Sequence, residues 1–209
     1  MKKLLVIALL MVMVSGLAFA QGAGTPAANK GDLTVMFYSP RVDIGGGSDT
    51  SPGYLLRANF KVADAFKLNL EYTTNQHNFG TTIGDLKFND TKIGAKWLPY
   101  HTDAGNIGIG IFTQSTKVDF NGTDSFSGLG YGIDGDYKAG EKVTLYGLLD
   151  YNSSLKGEGL TLKSTTFEVG GKYDLGNNIY GSLGYRSNNI SGDATVNFRG
   201  FVVGLGMKF

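Results

Sequence analysis

The stretch Tyr54–Thr73, YLLRANFKVADAFKLNLEYT, decides the fold class because apolar and polar side chains alternate along it. Every second residue from Tyr54 to Val62 is apolar, and most of the residues between them are polar. After the short Ala63-Asp64-Ala65 segment the alternation resumes at Phe66. A period of two residues is that of a β-strand whose faces meet different surroundings. The stretch therefore predicts two antiparallel strands joined by a tight turn.

The same alternation recurs between turn signals and predicts ten strands in all. They are residues 32–39, 53–62, 66–75, 85–98, 106–115, 125–138, 142–152, 163–174, 178–187 and 195–209. Within 85–98 the apolar phase moves from even positions at Leu86 and Phe88 to odd positions from Ile93, which predicts a β-bulge near Asn89-Asp90. The first strand is short and its alternation is blurred, so eight strands is the alternative. No helical connection separates the strands, so an all-β antiparallel up-and-down sheet is expected.

Composition agrees with a β-protein and excludes several classes. The 209 residues include 32 Gly, and an interior Gly costs a helix about 1 kcal/mol relative to Ala, so a helical bundle is disfavoured. The absence of Cys excludes a disulfide scaffold, a thiolate zinc site and a catalytic Cys. With 42% hydrophobic residues and a formal charge of +1, the chain is too apolar for disorder. The prolines fall outside the predicted strands or at their borders, as their missing donor requires: Pro26, Pro40, Pro52 and Pro99.

Residues 1–20 have the pattern of a secretory signal peptide. Lys2 and Lys3 precede the apolar run Leu4–Val14, which is far shorter than the roughly 20 residues that span a membrane. A small-x-small motif follows it and predicts cleavage at Ala18, Ala20 and Gln21. Without Lys2 and Lys3 the chain would carry 17 basic and 18 acidic residues, so no basic excess indicates nucleic acid.

The rest of the chain is predicted to be a flexible tail, residues 21–31, followed by one β-domain, residues 32–209. The tail is rich in Gly and Ala and has no alternation.

The two faces of the predicted strands favour a barrel in a membrane over a soluble sheet. Small residues suit a crowded interior, and eight glycines fall on the polar face: Gly108, Gly110, Gly128, Gly130, Gly132, Gly184, Gly204 and Gly206. Aromatic residues gather at both ends of the apolar face, like the two girdles of an outer-membrane barrel. One set is Phe60, Phe66, Trp97, Tyr137, Tyr173 and Phe209, and the other is Tyr54, Tyr72, Tyr131, Tyr151 and Tyr185. In lipid such a sheet must close, because its edge groups would lack partners.

The last predicted strand carries the most specific motif. Its apolar positions alternate up to the final residue: Phe201, Val203, Leu205, Met207 and Phe209. This strand resembles the C-terminal insertion signal of bacterial outer-membrane proteins, whose terminal Phe is recognised by the barrel-assembly machinery. Together with the strands and girdles it makes the chain resemble the small outer-membrane β-barrel proteins, the broad OmpA-like and porin-like group. No internal motif indicates a subfamily.

The resemblance implies a closed barrel with an even number of strands in the cell outer membrane, with both chain ends in the periplasm. It implies contact with outer-membrane lipid and, during biogenesis, with the barrel-assembly machinery and periplasmic chaperones. A monomer without cofactor, metal or nucleic-acid partner is expected. The loops expected to be extracellular lie near residues 40–52, 76–84, 116–124, 153–162 and 188–194.

The positions of the two histidines argue against an enzyme. His77 is predicted in an outer loop and His101 in a periplasmic turn, so they cannot share a site. An outer-membrane protease would need a His together with several acids at the outer rim, where Asp49, Asp124 and Asp150 are candidates. No nucleophile accompanies either His, and we therefore expect no catalytic residues.

The charged residues predicted to point inward have nearly balanced signs, which favours a network of ion pairs filling the lumen. They are Arg57, Lys61, Lys67, Glu71, Lys92, Lys96, Asp134, Asp136, Asp150, Glu168, Lys172, Asp174 and Arg186. Four lysines from neighbouring strands predict a local anion-favouring ring unless later acids neutralise it: Lys61, Lys67, Lys92 and Lys96. Ten strands lie nearer to the filled eight-stranded barrels than to open porins with 16–18 strands.

These features predict a mainly structural envelope barrel with a filled or very narrow polar lumen. The alternative is a small-solute, porin-like channel. Two remoter alternatives are a soluble, secreted lipocalin-like binder and a membrane-embedded hydrolase.

Overall fold

The computed structural model describes residues 30–44, 47–79, 84–119, 122–192 and 195–209. The predicted signal peptide, with Ala18, Ala20 and Gln21, and nearly all of the predicted tail lie outside these residues. The strands are β1 (Gly31–Ile44), β2 (Gly47–Thr50), β3 (Gly53–Ala63), β4 (Phe66–Asn78), β5 (Asp85–Thr102), β6 (Gly105–Asp119), β7 (Thr123–Lys138), β8 (Val143–Gly157), β9 (Leu160–Gly176), β10 (Ile179–Ser191) and β11 (Thr195–Lys208). No helix in the described ranges is long and apolar enough to cross a membrane.

The sheet closes into an antiparallel barrel of ten strands. Each long strand pairs with the next in chain order, and β11 pairs with β1 from Asp32↔Lys208 to Asp43↔Asn197. The short β2 is an addition that the alternation did not predict, and it pairs with the end of β1. Each of the ten described barrel strands therefore pairs on both sides, which is the condition for placing a sheet in lipid. The prediction of ten strands is therefore confirmed over the alternative of eight.

The two ends of the barrel differ. The turn end carries the turns at 64–65, 103–104, 139–142 and 177–178, together with Lys30 and Phe209. The opposite end, called the loop end, carries β2 and the remaining connections. Several strands extend farther toward the loop end than predicted, because ladder hydrogen bonds continue after the apolar alternation has stopped. Thus β6 ends at Asp119, β8 at Gly157 and β10 at Ser191.

The predicted bulge near Asn89-Asp90 is wrong. β5 pairs with both neighbours without a register shift up to Trp97. Leu86 and Phe88 stay at even positions because both side chains are buried in the barrel interior, at 4% and 1% exposure. The change of apolar phase therefore marks where the interior itself becomes apolar, not where the strand is irregular.

Two prolines predicted at strand borders lie inside strands. Pro99 is in β5 at a register shift between Trp97 and Tyr100. The ladder is irregular there, so it does not need the backbone N–H that proline lacks. Pro40 lies within β1, opposite Gly200 of β11. It falls between the ladder to β3, which ends at Tyr38, and the ladder to β2, which begins at Arg41.

The outward face of the barrel is apolar. Leu129, Leu183 and Phe201 are each at least 60% exposed to the surroundings of the protein. The predicted aromatic sets are on this face, with Trp97 toward the turn end and Tyr131 toward the loop end, both more than half exposed. A continuous exposed apolar wall of this extent is typical of a surface covered by lipid or a partner.

Candidate functional site in the barrel interior

The centre of the interior holds four charged side chains from four strands. Arg57 of β3 donates to Glu71 of β4 (Nη2–Oε2, 2.7 Å) and to Glu168 of β9 (Nη2–Oε2, 2.8 Å). Arg186 of β10 donates to the same two carboxylates, at 2.5 Å to Glu71 and 2.7 Å to Glu168. We call these four residues the central quartet. Each guanidinium contacts both carboxylates, so the charges are balanced two against two.

The sheet register brings the quartet together. Arg57 lies directly opposite Glu71, and Arg186 lies directly opposite Glu168, so each strand pair supplies one basic and one acidic side chain to the interior. The two pairs then meet across the lumen. Arg186 and Glu168 are fully buried, and a lone charge there would be very costly, so pairing with several hydrogen bonds is required.

A second group of ion pairs lies against β7 and β8. Lys92 donates to Asp150 at 3.0 Å and to the hydroxyl of Thr166 at 2.8 Å. Lys67 and Lys96 both donate to Asp134, at 2.9 and 3.0 Å. Acids from the later strands therefore neutralise three of the four lysines of the predicted anion-favouring ring.

The remaining predicted interior charges lie nearer the turn end. Lys61 pairs with Asp64 of the adjoining turn at 3.2 Å. Asp136 accepts a hydrogen bond from Asn106, and Asp174 lies 3.4 Å from Lys208. Lys172 lies over the ring of Tyr180, 4.8 Å from its centre, and 3.9 Å from Asp32. These residues line the barrel mouth separately and do not join the central quartet.

Inward glycines leave the space that the interior side chains occupy. A Cβ on Gly132 would collide with the carboxylate of Asp150, and one on Gly184 would lie 2.6 Å from the hydroxyl oxygen of Tyr146. Gly108 and Gly206 are crowded in the same way by Asp134 and Tyr180.

A polar layer between the quartet and the loop end was not predicted as a site. Asp90 accepts hydrogen bonds from Gln114 (2.9 Å) and Thr116 (2.6 Å), and Gln114 also donates to Ser164. All four side chains are buried. In the sequence, Asp90 occupies an even position, as do Phe88 and Lys92. Because those two side chains point inward, this position indicates that Asp90 points inward as well.

At the loop end the interior contains buried apolar side chains. The loop-end cluster consists of Val42, Leu86, Phe88, Ile190 and Phe198, packed against Phe79, Val118, Leu162 and Val196. The rings of Phe88 and Phe198 lie 4.5 Å apart. A second buried cluster joins β1, β3 and β11: Met36, Tyr38, Leu55 and Val202. The interior was predicted to be polar, but the structure also contains apolar clusters within it.

His77 lies beside the loop-end cluster, beyond the level of Tyr72, and forms a pair with Asp49 of β2. Its Nδ1 is 3.0 Å from Oδ2 of Asp49, and its ring lies 6.0 Å from that of Phe198. The imidazole is fully buried, and burial lowers its pKa although Asp49 acts in the opposite direction. Burial alone would raise the pKa of Asp49, but hydrogen bonds from Ser51 and from the Asn78 amide hold it below its usual range.

The other candidates for a catalytic rim are separated from this pair. His101 lies on β5 at the turn end, and Asp150 is bound to Lys92 in the interior. Asp124 is exposed near the start of β7. Within the described ranges no group of three or more His, Cys, Asp or Glu side chains is arranged to hold a metal ion.

The turn end opens into a cavity of about 870 Å³. Its inner wall includes Arg57 and Glu71 of the central quartet, and its mouth includes Lys142 and Lys208. Basic and acidic side chains both line it, among them Lys67, Lys96, Asp134 and Asp150. The lumen is thus a polar vestibule at one end that stops at the central quartet.

The predicted insertion motif forms the outward face of β11. Phe201, Val203 and Leu205 are exposed, and Met207 is half-buried. Phe209 exchanges backbone hydrogen bonds with Gly31, and its ring lies 5.8 Å from that of Phe60. Phe209 therefore joins the end of β11 to the start of β1 by backbone hydrogen bonds.

Two solved structures show what this architecture is similar to. The outer membrane protease OmpT from Escherichia coli aligns with a TM-score of 0.60 and 12% identity, over 90% of this chain and 99% of that one. Neisserial surface protein A (NspA) aligns with a TM-score of 0.50 and 14% identity, over 88% of this chain and 100% of that one. The chain has the fold of the bacterial outer-membrane β-barrel proteins. No protein-family model and no curated protein sequence matches it.

Proposed function

We propose that the protein is an integral barrel of the outer membrane with a structural role in the envelope and a closed lumen. The observation that carries this proposal is the central quartet, in which four paired charges from four strands, three of them buried, fill the middle of the barrel. The loop-end cluster forms a second, apolar closure on the path. A solute entering the vestibule would have to break paired charges and then displace packed rings.

The proposed location follows from the exposed apolar wall and the closed sheet. Outer-membrane lipid would cover the wall, with the turn end in the periplasm. We further propose a monomer, because the barrel closes on itself, and assembly by the barrel-assembly machinery and periplasmic chaperones. A terminal Phe209 at the closing seam supports this route.

We also propose that the barrel is not an enzyme. The His77–Asp49 pair has the spacing of a general base and its orienting carboxylate. The ring, however, is fully buried among Phe79 and Phe198, and no nucleophilic side chain in the described ranges bonds to its Nε2. Peptide cleavage by the purified protein that His77→Ala abolishes would contradict this proposal.

Recording from planar bilayers tests the closed lumen. Folded wild-type protein is expected to insert without reproducible conductance steps. The matched variant F198A/E71S/R186S removes bulk from the loop-end cluster and an opposite-charge pair from the quartet, and it is expected to conduct. Stable conductance steps from the wild-type protein would instead establish the alternative, a small-solute channel.

A further inference from the structure

Three lysines lie side by side on the inner wall of the vestibule, and we call them the lysine row. Lys67 of β4 lies directly opposite Lys61 of β3 on one side and Lys96 of β5 on the other. All three line the cavity at the turn end. Like charges at directly opposed positions destabilise a sheet. The central quartet instead sets a basic residue opposite an acidic one, so the lysine row departs from the charge pattern of the interior.

The two inner members of the lysine row share one carboxylate. Lys67 and Lys96 both donate to Asp134, at 2.9 and 3.0 Å. Asp150 also lies 3.9 Å from Lys96, but it is bound to Lys92 at 3.0 Å. Lys67 and Lys96 therefore retain one positive charge between them.

Lys61, the third member of the row, has a weakly held partner. It lies 3.2 Å from Asp64, whose side chain is 92% exposed in the turn after β3. An exposed ion pair contributes little to stability, because water competes with both partners. An anion that binds inside the vestibule can therefore replace Asp64, and the row then offers it a surplus of two positive charges.

The other acids near the row are engaged elsewhere. Asp32 accepts hydrogen bonds from Asn59 (3.2 Å) and Tyr180 (2.9 Å), and Asp136 accepts one from Asn106 at 2.6 Å. Three further acids line the mouth, on two turns and at the end of β9: Asp103, Glu141 and Asp174. The ion pairs that these acids form within the described residues are with lysines outside the row.

The side chain of Asn69 supplies a neutral donor beside the row. Asn69 is two residues after Lys67 on β4, and it lines the same cavity. Its Oδ1 is buried and has no hydrogen-bond partner among the described residues. An unbonded amide next to two ammonium groups is complementary to an anion that accepts several hydrogen bonds, such as a phosphate group.

The cavity is large enough for an organic molecule. Its volume of about 870 Å³ lies within the range of roughly 300–1,000 Å³ that small-molecule sites occupy. Polar side chains such as Thr102, Asn106 and Tyr146 line other parts of the wall, which favours a polar organic group. The central quartet forms the floor, so a molecule that enters from the turn end is held there.

We propose that the vestibule binds a small phosphate monoester with a polar organic group, such as a sugar phosphate. The phosphate accepts hydrogen bonds from Lys61, Lys67 and Asn69, and the organic group lies in the remainder of the cavity. A phosphate monoester carries nearly two negative charges at neutral pH, which matches the surplus of the row. This binding site goes beyond the proposed structural role of the barrel.

Isothermal titration calorimetry of the folded barrel in detergent micelles tests the site. The probes are glucose 6-phosphate, glucose and inorganic phosphate. Glucose 6-phosphate is expected to bind one to one, glucose is expected not to bind, and inorganic phosphate is expected to bind more weakly because it leaves most of the cavity unfilled. Absence of glucose 6-phosphate binding would overturn the site. Equal affinity for inorganic phosphate would overturn the assignment of an ester.

Removal of lysines from the row is expected to weaken binding of glucose 6-phosphate. K61Q/K67Q is expected to raise the dissociation constant about a hundredfold, because each charge-assisted hydrogen bond contributes roughly tenfold. The fold is expected to tolerate this change, since Asp134 keeps Lys96 as its partner. The single variant K61Q changes only an exposed side chain at the mouth and is expected to weaken binding about tenfold.

The matched control is K138Q/K142Q, which removes the same charge from the same cavity. Lys138 and Lys142 line the vestibule at the end of β7 and in the turn after it, away from the row. The control is expected to bind glucose 6-phosphate as wild type does. Equal weakening by the two double variants would show that the total charge of the cavity attracts the anion, and it would overturn the lysine row as the binding site.

Discussion

Gly184 and Gly181 lie on the same strand, β10, but meet different surroundings. A Cβ on Gly184 would lie 2.6 Å from the hydroxyl oxygen of Tyr146 and 2.8 Å from the carbonyl oxygen of Val169. Gly181 has open space within 4 Å on the outward face. The requirement for glycine is therefore set by the neighbours of each position, because the strand conformation is the same at both.

Alanine substitutions at Gly184 and Gly181 test this difference in surroundings. Gly184→Ala is expected to lower the free energy of unfolding by about 1–3 kcal/mol, because a backbone carbonyl must move to admit the methyl group. Gly181→Ala is expected to be neutral or slightly stabilising, because alanine restricts the unfolded chain more than glycine. Urea unfolding in lipid vesicles, followed by Trp97 fluorescence, measures both. Equal losses from the two variants would contradict the crowding of Gly184.

At the scale of strands, the pairing of β1 with β11, the seam, closes the sheet into a barrel. Phe209 accepts hydrogen bonds from the amides of Lys30 (2.6 Å) and Gly31 (2.9 Å), and its ring packs near Phe60. Phe209 therefore closes the seam through its backbone, whereas its ring, packed near Phe60, is the predicted assembly signal.

Replacement of the terminal aromatic residue tests the assembly signal. Phe209→Ser is expected to reduce the assembled fraction in the outer membrane several-fold, whereas Phe201→Ser, also outward on β11, is expected to reduce it much less. Heat-modified electrophoretic mobility of membrane fractions measures the folded barrel. The comparison needs equal synthesis of both chains. A normal membrane yield of the Phe209 variant would count against the insertion signal.

The strands themselves were predictable because alternation is a local property, and the ten predicted strands match the ten of the barrel. Leu86 and Phe88 could not be interpreted in the same way. An inward apolar residue and an outward one look alike in a sequence, and the position of Phe88 depends on Phe198, which lies far along the chain. The interior charges were predictable by phase, but their partners were not, since Arg57 meets Glu168 across the lumen.

At the scale of the molecule, the central quartet ties opposite walls of the barrel together. Glu168 and Glu71 each bridge Arg57 and Arg186, so removal of one carboxylate leaves two interior guanidinium groups, that of Arg186 fully buried, with one partner. In contrast, Asp43 bridges Arg41 and Arg199 on the exposed loop end, where water screens the charges.

Glu168→Gln is expected to destabilise the whole barrel by about 3–5 kcal/mol, because it leaves buried positive charge without compensation. Asp43→Asn, the exposed counterpart, is expected to change stability little. Equilibrium unfolding in urea, monitored by both circular dichroism and Trp97 fluorescence, gives the two values. Similar stabilities for the two variants would show that the quartet does not stabilise the barrel across its lumen.

The quartet also has a consequence for the order of folding. Arg57 and Glu71 belong to one hairpin, but their partners Glu168 and Arg186 follow 111 and 115 residues later. Until β9 and β10 arrive, Arg57 and Glu71 can pair with each other, but their remaining donors and acceptors must stay in contact with water. Cross-lumen pairing therefore belongs to a late step of folding, and the interior must stay hydrated until the wall is nearly complete.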